Sequence, residues 1–311
     1  MQTKVLRDGI YPAMITPFTK DNKIDFDAVG RLVEWYIENG ATGVFAACQS
    51  SEMYFLSLEE RLTLVREVLR VADGRLDVVA CGATSENFDE MLKEAVEVSK
   101  LGVKAVVLLS NHLASEDEDD AVLIERLKIA CDTIKDVDLG LYECPVPYKR
   151  SLTPEILKWC ADSDRFVFMK DTSCCVEDMA EKLKAIAGSR LKLYNANTET
   201  LLDTVRLGAS GISGIMCNYH PYLYSAMLNL YRDKGEADGL TQEMQDVLTT
   251  LGYTFDGYTT SAKRYLMHDG VLDCDLSRMS LPLTYNLEIQ VQHLYRFTKR
   301  MEKYYKNRLE G

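Results

Sequence analysis

The chemistry this chain can do starts from one lysine. Lys170 directly follows Phe166-Val-Phe-Met169, an apolar run with the length and composition of a buried strand. A lysine held at a strand end by apolar neighbours is partly desolvated, so its pKa falls and a neutral amine is left that can attack a carbonyl. The competing reading is a lysine that leaves the strand and snorkels into water. Three other stretches carry polar groups where a strand should end: Thr16-Pro-Phe18, Cys48-Gln-Ser-Ser-Glu52 and Tyr142-Glu-Cys-Pro145. At the C-terminal mouth of a parallel barrel, the four together would supply an amine, a phenol and small hydroxyls.

Other chemistries are poorly served. The four histidines are far apart, with no HxxxH or HExxH, so no metal site is expected. The nine cysteines show no CxxC spacing; their only cluster is Cys174-Cys175, which reads as reduced thiols rather than a disulfide framework. Neither GxGxxG nor GxxxxGK[ST] occurs.

Holding these residues in place needs a repeating scaffold, and the chain has the pattern of one. Short apolar strands alternate with amphipathic helices: Ile10–Thr16, Gly43–Ala47, Val78–Gly82, Ala105–Leu109, Leu139–Tyr142, Phe166–Met169, Leu191–Tyr194 and Gly211–Ile215 are the expected strands. Thr153-Pro154 supplies an N-cap and a first-turn proline, and Gly40 and Gly102 stand where helices should end. Eight βα units in about 235 residues predict a (β/α)8 TIM barrel. The expected organisation is a barrel over residues 1–235 and a C-terminal helical extension over 236–311, packed on the barrel flank or on another subunit. The acidic run Glu116-Asp-Glu-Asp-Asp120 precedes a helix and reads as a first turn matched to the helix dipole.

A net charge of −12 argues against nucleic acid and anionic membranes as partners. No run of 18 apolar residues occurs, and the first residues lack the apolar core of a signal peptide, so a cytoplasmic location is expected.

Thr-Pro-Phe, a small-hydroxyl loop ending in Glu, Tyr-x-x-Pro and a strand ending in Lys, in that order, resemble the dihydrodipicolinate synthase/N-acetylneuraminate lyase family of class I aldolases. The resemblance runs from about residue 9 to 300 and takes in Leu58-Glu-Glu-Arg61, Gly208-Ala-Ser-Gly-Ile-Ser213 and Asn218. It implies that Lys170 forms a Schiff base with a pyruvate-type 2-oxo acid, that Tyr142 moves the proton, and that Ser50 and the Ser51 amide hold the carboxylate. It further implies that Gln49 lies beside the tyrosine, that Thr172 and Glu199 contact the rest of the substrate, and that Ser213 offers a backbone carbonyl near the ketoacid. The lysine is the electron sink, so no metal or organic cofactor is implied; a homo-oligomer, dimer or tetramer, is.

Departures from the family pattern bear on the substrate. Where the family has Gly-(Thr/Ser)-(Thr/Ser)-Gly-Glu, this chain has Cys48-Gln-Ser-Ser-Glu52, so Gln49 stands on the proton-relaying hydroxyl, and two glycines are lost. No tyrosine lies between Leu108 and Asp120, and the synthase arginine falls on Pro147, for which Lys149 or Arg150 substitutes only if the loop bends back. Lys170-Asp-Thr-Ser173 and Tyr194-Asn-Ala-Asn-Thr-Glu199 lean toward the sugar-acid lyases, but Thr198 and Ile215 replace polar tail contacts there. Glu143 faces the substrate or points away, as strand alternation decides. The expectation is a class I aldolase or lyase acting on a 2-oxo acid, such as an N-acetylneuraminate-like or 2-keto-3-deoxy sugar acid. The alternatives are dihydrodipicolinate synthesis, a dehydratase reaction on the same parts, or a non-catalytic binding or regulatory barrel.

Overall fold

A computed structural model describes residues 5–235, 239–252 and 257–310. Eight parallel strands form one sheet in the order β1-β8-β7-β6-β5-β4-β3-β2. They are β1 (Gly9–Ile10), β2 (Gly43–Ala46), β3 (Asp77–Ala80), β4 (Ala105–Leu109), β5 (Asp138–Tyr142), β6 (Phe166–Asp171), β7 (Lys192–Asn195) and β8 (Gly211–Ile212). An Ala13–Phe45 bridge joins the β1 segment to β2 and closes the ring. The chain is a (β/α)8 barrel with a C-terminal helical extension.

The helices are α1 (Phe26–Glu38), α2 (Leu58–Ala72), α3 (Phe88–Ser99), the single turn α4 (Ser110–Leu113), α5 (Asp120–Thr133), α6 (Pro154–Asp162), α7 (Val176–Ala185), α8 (Leu201–Arg206) and α9 (Pro221–Lys234). The extension adds α10 (Leu240–Gly252), α11 (Thr260–His268) and α12 (Tyr285–Glu310). The expected barrel boundary at 235/236 adjoins residues 236–238, outside the described ones. Local chemistry starts the helices, as expected for α6 and α5 and by a further cap at α2. Ser57 accepts from the Glu60 N–H while Glu60 accepts from the Ser57 N–H, a capping box that opens α2. Thr153 caps α6 with Pro154 at its first position, and Asp119 caps α5, which accounts for part of the acidic run.

Two of the expected strands are much shorter than read. β1 and β8 each keep two paired residues, and the chains cross closely there: a Cβ on Gly211 (φ +140°) would lie 1.9 Å from the Gly9 carbonyl oxygen. Only a residue without a side chain fits that crossing.

The barrel interior is largely aromatic at its centre. Phe168 stacks on Tyr194 at 5.0 Å between ring centroids and meets Phe45 edge-on at 5.6 Å, while Tyr11 lies 4.5 Å from Tyr194. A second, larger apolar layer fills the space between the strands and the helices. Strand alternation assigns every wall residue to one layer or the other, and this decides what faces the mouth. Among the described residues no helix is long and apolar enough to cross a membrane, and no cluster of His, Cys, Asp and Glu is placed to hold a metal ion.

Candidate active site

Lys170 lies two residues beyond Phe168 on β6, so it shares the inward face and stands on the aromatic layer. It is 4% exposed, so the snorkelling alternative does not apply. Its Nζ lies 4.6 Å from the ring centroid of Tyr142 and 5.7 Å from that of Phe45. Burial pushes its pKa below the ordinary lysine value; only thiols, and no carboxylate, act in the other direction. Tyr142 pairs with Lys170 across the β5–β6 ladder and meets Phe45 edge-on at 5.6 Å. Burial raises the Tyr142 phenol well above its usual pKa. Its hydroxyl donates to Gln49 Oε1 at 3.2 Å.

Above the lysine opens a cavity of about 290 Å³. Its polar wall is Gln49, Ser50, Tyr142, Lys170 and Thr172; its apolar wall is Pro145, Ala196, Ile215 and Met279, with Tyr258 at the side. Of the expected substrate contacts, Gln49, Ser50 and Thr172 therefore meet at one place. Three others stand elsewhere. The Ser51 hydroxyl donates to the Met14 carbonyl at 2.6 Å, and its N–H donates to Cys48 O at 3.0 Å, so both donors are spent in the loop. Glu199 is exposed and outside the lining, accepting from Asn197 Nδ2 at 2.5 Å. Ser213 is fully buried and outside the lining, its N–H donating to Asn195 O at 2.8 Å and its hydroxyl without a partner among the described residues.

The loss of two glycines leaves the β2 loop unstrained at those positions. Its left-handed residues are Ala47 and Glu52, whereas Cys48 has φ −95° and Ser51 is not left-handed. Glu52 is fully buried and faces away from the cavity. Its carboxylate accepts from Lys263 Nζ at 2.5 Å, Thr259 Oγ1 at 3.2 Å, Ser277 Oγ at 3.0 Å and the Met279 N–H at 2.9 Å. One side chain of the β2 loop thus fixes the segment that brings Tyr258 and Met279 to the mouth. Sequence reading missed both lining residues; a lysine on the buried face of α11 was the only signal. The other recurrent motif residues are braces too. Thr16 Oγ1 donates to Ser51 O at 2.7 Å, Arg61 donates to the Gly82 and Leu56 carbonyls, and Asn218 Nδ2 donates to the hydroxyl of Tyr258 at 3.0 Å.

Glu143 points away from the cavity. It is buried behind β5, accepting from the Leu152 N–H at 2.7 Å, the Thr172 N–H at 3.1 Å and Lys182 Nζ at 2.7 Å. Asp171, the residue after Lys170, accepts from the same Lys182 Nζ at 2.5 Å and from Ser173 Oγ at 2.6 Å. Burial raises the Glu143 pKa, and the neighbouring Asp171 adds to the rise. Burial opposes the charge on Lys182, yet the two carboxylates hold its pKa above the ordinary value. Of the two basic residues that follow, Lys149 does bend back, its Nζ donating to the Thr172 carbonyl at 2.7 Å; Arg150 turns outward to Asp120 and the 115–118 carbonyls.

A buried lysine at the C-terminal end of β6, without an ion-pair partner among the described residues and in register with a tyrosine of β5, is the arrangement of a class I aldolase barrel. The sequence matches the Dihydrodipicolinate synthetase family over residues 7–284, and the chain belongs to that family. Among curated relatives, the 4-hydroxy-tetrahydrodipicolinate synthase 1 of Clostridium acetobutylicum is 26% identical, covering 78% of this chain and 80% of its own. The 4-hydroxy-tetrahydrodipicolinate synthase of Methanocaldococcus jannaschii is 27% identical over 71% and 74% of the two chains. Among solved structures, a dihydrodipicolinate synthase from Bacillus anthracis superposes with a TM-score of 0.84 at 22% identity, covering 94% of this chain and 99% of its own. A catalytic-lysine mutant of the Ruminococcus gnavus sialic acid aldolase gives 0.83 at 19% identity, covering 94% and 97%. At these identities the two structures speak for the fold. Members of the family are lyases.

Proposed function

We propose that the protein is a Schiff-base lyase or aldolase for a pyruvate-type 2-oxo acid. The observation that carries this is Lys170: an amine buried on aromatic rings, without a carboxylate partner, beside a tyrosine hydroxyl and an open cavity. The neutral amine attacks the C2 carbonyl, the carbinolamine loses water with a proton from Tyr142, and the resulting iminium is the electron sink for making or breaking the C3–C4 bond. Ser50 and the Gln49 amide serve the substrate carboxylate, and Thr172 lies where the rest of the substrate begins. Glu199 and Ser213 have no direct part in this reading.

The size and lining of the cavity favour a compact second half. About 290 Å³ lies at the low end for small-molecule sites, roughly 300–1,000 Å³. No carboxylate or guanidinium lines it, and Ile215, Met279, Ala196 and Pro145 form an apolar rim, so a small uncharged aldehyde suits it better than a long polyol. Lys149 donates to the carbonyl of Thr172, a lining residue, and this cation beside the cavity keeps the synthase reaction as the alternative. The proposal includes assembly as a homo-oligomer, which light scattering on the purified chain tests.

The test is intact-protein mass after borohydride reduction with pyruvate, beside Lys170→Ala. A pyruvyl adduct on the wild type and none on the variant supports the imine. No adduct with pyruvate or with whole sugar acids rejects it and favours a barrel that binds without turnover.

A further inference from the structure

Tyr142 has to recover the proton it gives away, and it is buried with its hydroxyl on an amide. In the imine reading above, on which this inference rests, one proton leaves Tyr142 each time water departs from the carbinolamine. Gln49 Oε1, its partner at 3.2 Å, has no proton to return. Two groups stand behind that amide. Cys144 Sγ lies 3.7 Å from the same Oε1, so the thiol and the Tyr142 phenol share one acceptor. Tyr54 Oη lies 3.9 Å from Cys144 Sγ and 3.4 Å from His112 Nε2. His112 Nδ1 is 3.0 Å from the Ser85 carbonyl, which only accepts, so the ring proton sits on Nδ1 and Nε2 is left as an acceptor. His112 lines a second cavity of about 570 Å³, with Glu86, Glu118 and Arg126.

We propose that Cys144 and Tyr54 form a proton relay within a single chain, linking Tyr142 to His112 and the second cavity. Tyr142 gives its proton to the carbinolamine hydroxyl, which leaves as water with the C–O electron pair while the nitrogen lone pair forms C=N. The Tyr142 phenolate takes the proton of Cys144, the thiolate takes that of Tyr54, and the Tyr54 phenolate takes one delivered from water through His112 Nε2. The sum is one proton taken up from solvent, one water released and one iminium formed; hydrolysis runs the same path backwards.

Three features fit a relay better than packing alone. Thiol and phenol have ordinary pKa values within about 2 units of each other, so the two kinds of group are matched for exchanging a proton. Burial raises the pKa of both Tyr54 and Cys144, which keeps both protonated and able to donate. The strap that carries Cys144 is held still: Asn111 Nδ2 donates to the carbonyls of Cys144, Val146 and Tyr148 at 3.1, 2.8 and 2.8 Å, and the Tyr54 hydroxyl donates to Val146 O at 3.1 Å. Cys144 and Tyr54 are positioning residues here, acting through Tyr142.

The experiment is rapid-quench borohydride trapping of the pyruvate imine in H₂O and D₂O. Wild type is compared with Tyr54→Phe, Cys144→Ala and Cys144→Ser, each first matched to wild type for thermal midpoint. Tyr54→Phe and Cys144→Ala should form the adduct at least about tenfold more slowly, at the low end of general acid–base effects. Wild type should show a curved proton inventory, from several protons in flight, that becomes linear in these two variants. Cys144→Ser, which still passes a proton, should recover to within about threefold of wild type. Wild-type rates in Tyr54→Phe and Cys144→Ala, or a serine variant as slow as the alanine, overturn the relay and leave the imine standing. A wild type that forms no adduct removes the imine chemistry and the relay with it.

Discussion

Tyr142 and Lys170 stand opposite each other across the β5–β6 ladder, and the residue after each sends its carboxylate out of the barrel to one ammonium group, Lys182. Alternation does this: if 142 and 170 face in, 143 and 171 face out. The pair that faces the cavity is thereby clamped from behind by an ion triad that never touches it.

Lys182→Met should therefore damage both stability and turnover. Removing the cation leaves two carboxylates buried together, and breaking such a cluster costs about 3–5 kcal/mol. Urea unfolding reads the loss. A variant within 1 kcal/mol of wild type would show that the triad does not clamp the strands.

Tyr142→Phe keeps the ring that packs on Phe45 and removes only the hydroxyl. Stability should change little, while imine formation should fall by roughly 10²–10⁴, the range for a positioned acid–base group. Stopped-flow trapping decides it, and an unchanged rate would take Tyr142 out of the chemistry.

Lys170 makes a prediction about pH. Its folded pKa is lowered by burial, so the unfolded chain binds more protons than the folded one between the two pKa values, and stability is lost as pH falls through that window. Lys170→Met should accordingly raise the melting temperature at neutral pH, with the gain shrinking as pH approaches the ordinary lysine value of about 10.4. For the wild type, adduct formation at saturating pyruvate should rise with pH up to the lowered pKa and then level off. A melting temperature lower in Lys170→Met at pH 7 would show that the amine is charged and compensated in the fold.

Met279→Ala should enlarge the cavity on its apolar side without touching Lys170 or Tyr142. KM for bulkier aldehydes should fall relative to the smallest ones, by about 10-fold or more for one extra branch. Selectivity identical to wild type would place the second half of the substrate elsewhere.

Local signals carried much of this architecture. Thr153 and Pro154 announce α6, which opens at Pro154 as they predict, and Phe166–Met169 reads as a strand because four apolar residues sit between polar flanks. Lys170 could be placed at a strand end, but its direction could not, because a residue just past an apolar run has either face open to it. The glycines at 9 and 211 meet at a close crossing of two strands far apart in sequence, which no local pattern records. Likewise Tyr54 and Cys144 are 90 residues apart and Glu52 and Lys263 are 211 apart, so their meetings follow from barrel closure and from the return of the extension. Ser51 had the right residue type for a substrate contact, but its hydroxyl donates to Met14 O and it is not in the cavity lining.

The dependence of Glu52 on Lys263 also sets an order of events at the ribosome. The last strand is complete at Ile212, and Lys263 follows about 50 residues later, several seconds at about 5–20 residues per second. Until then Glu52 has no partner for burial and stays hydrated. The nascent protein is an open-mouthed barrel first, and its pocket gains its final wall only when the extension arrives.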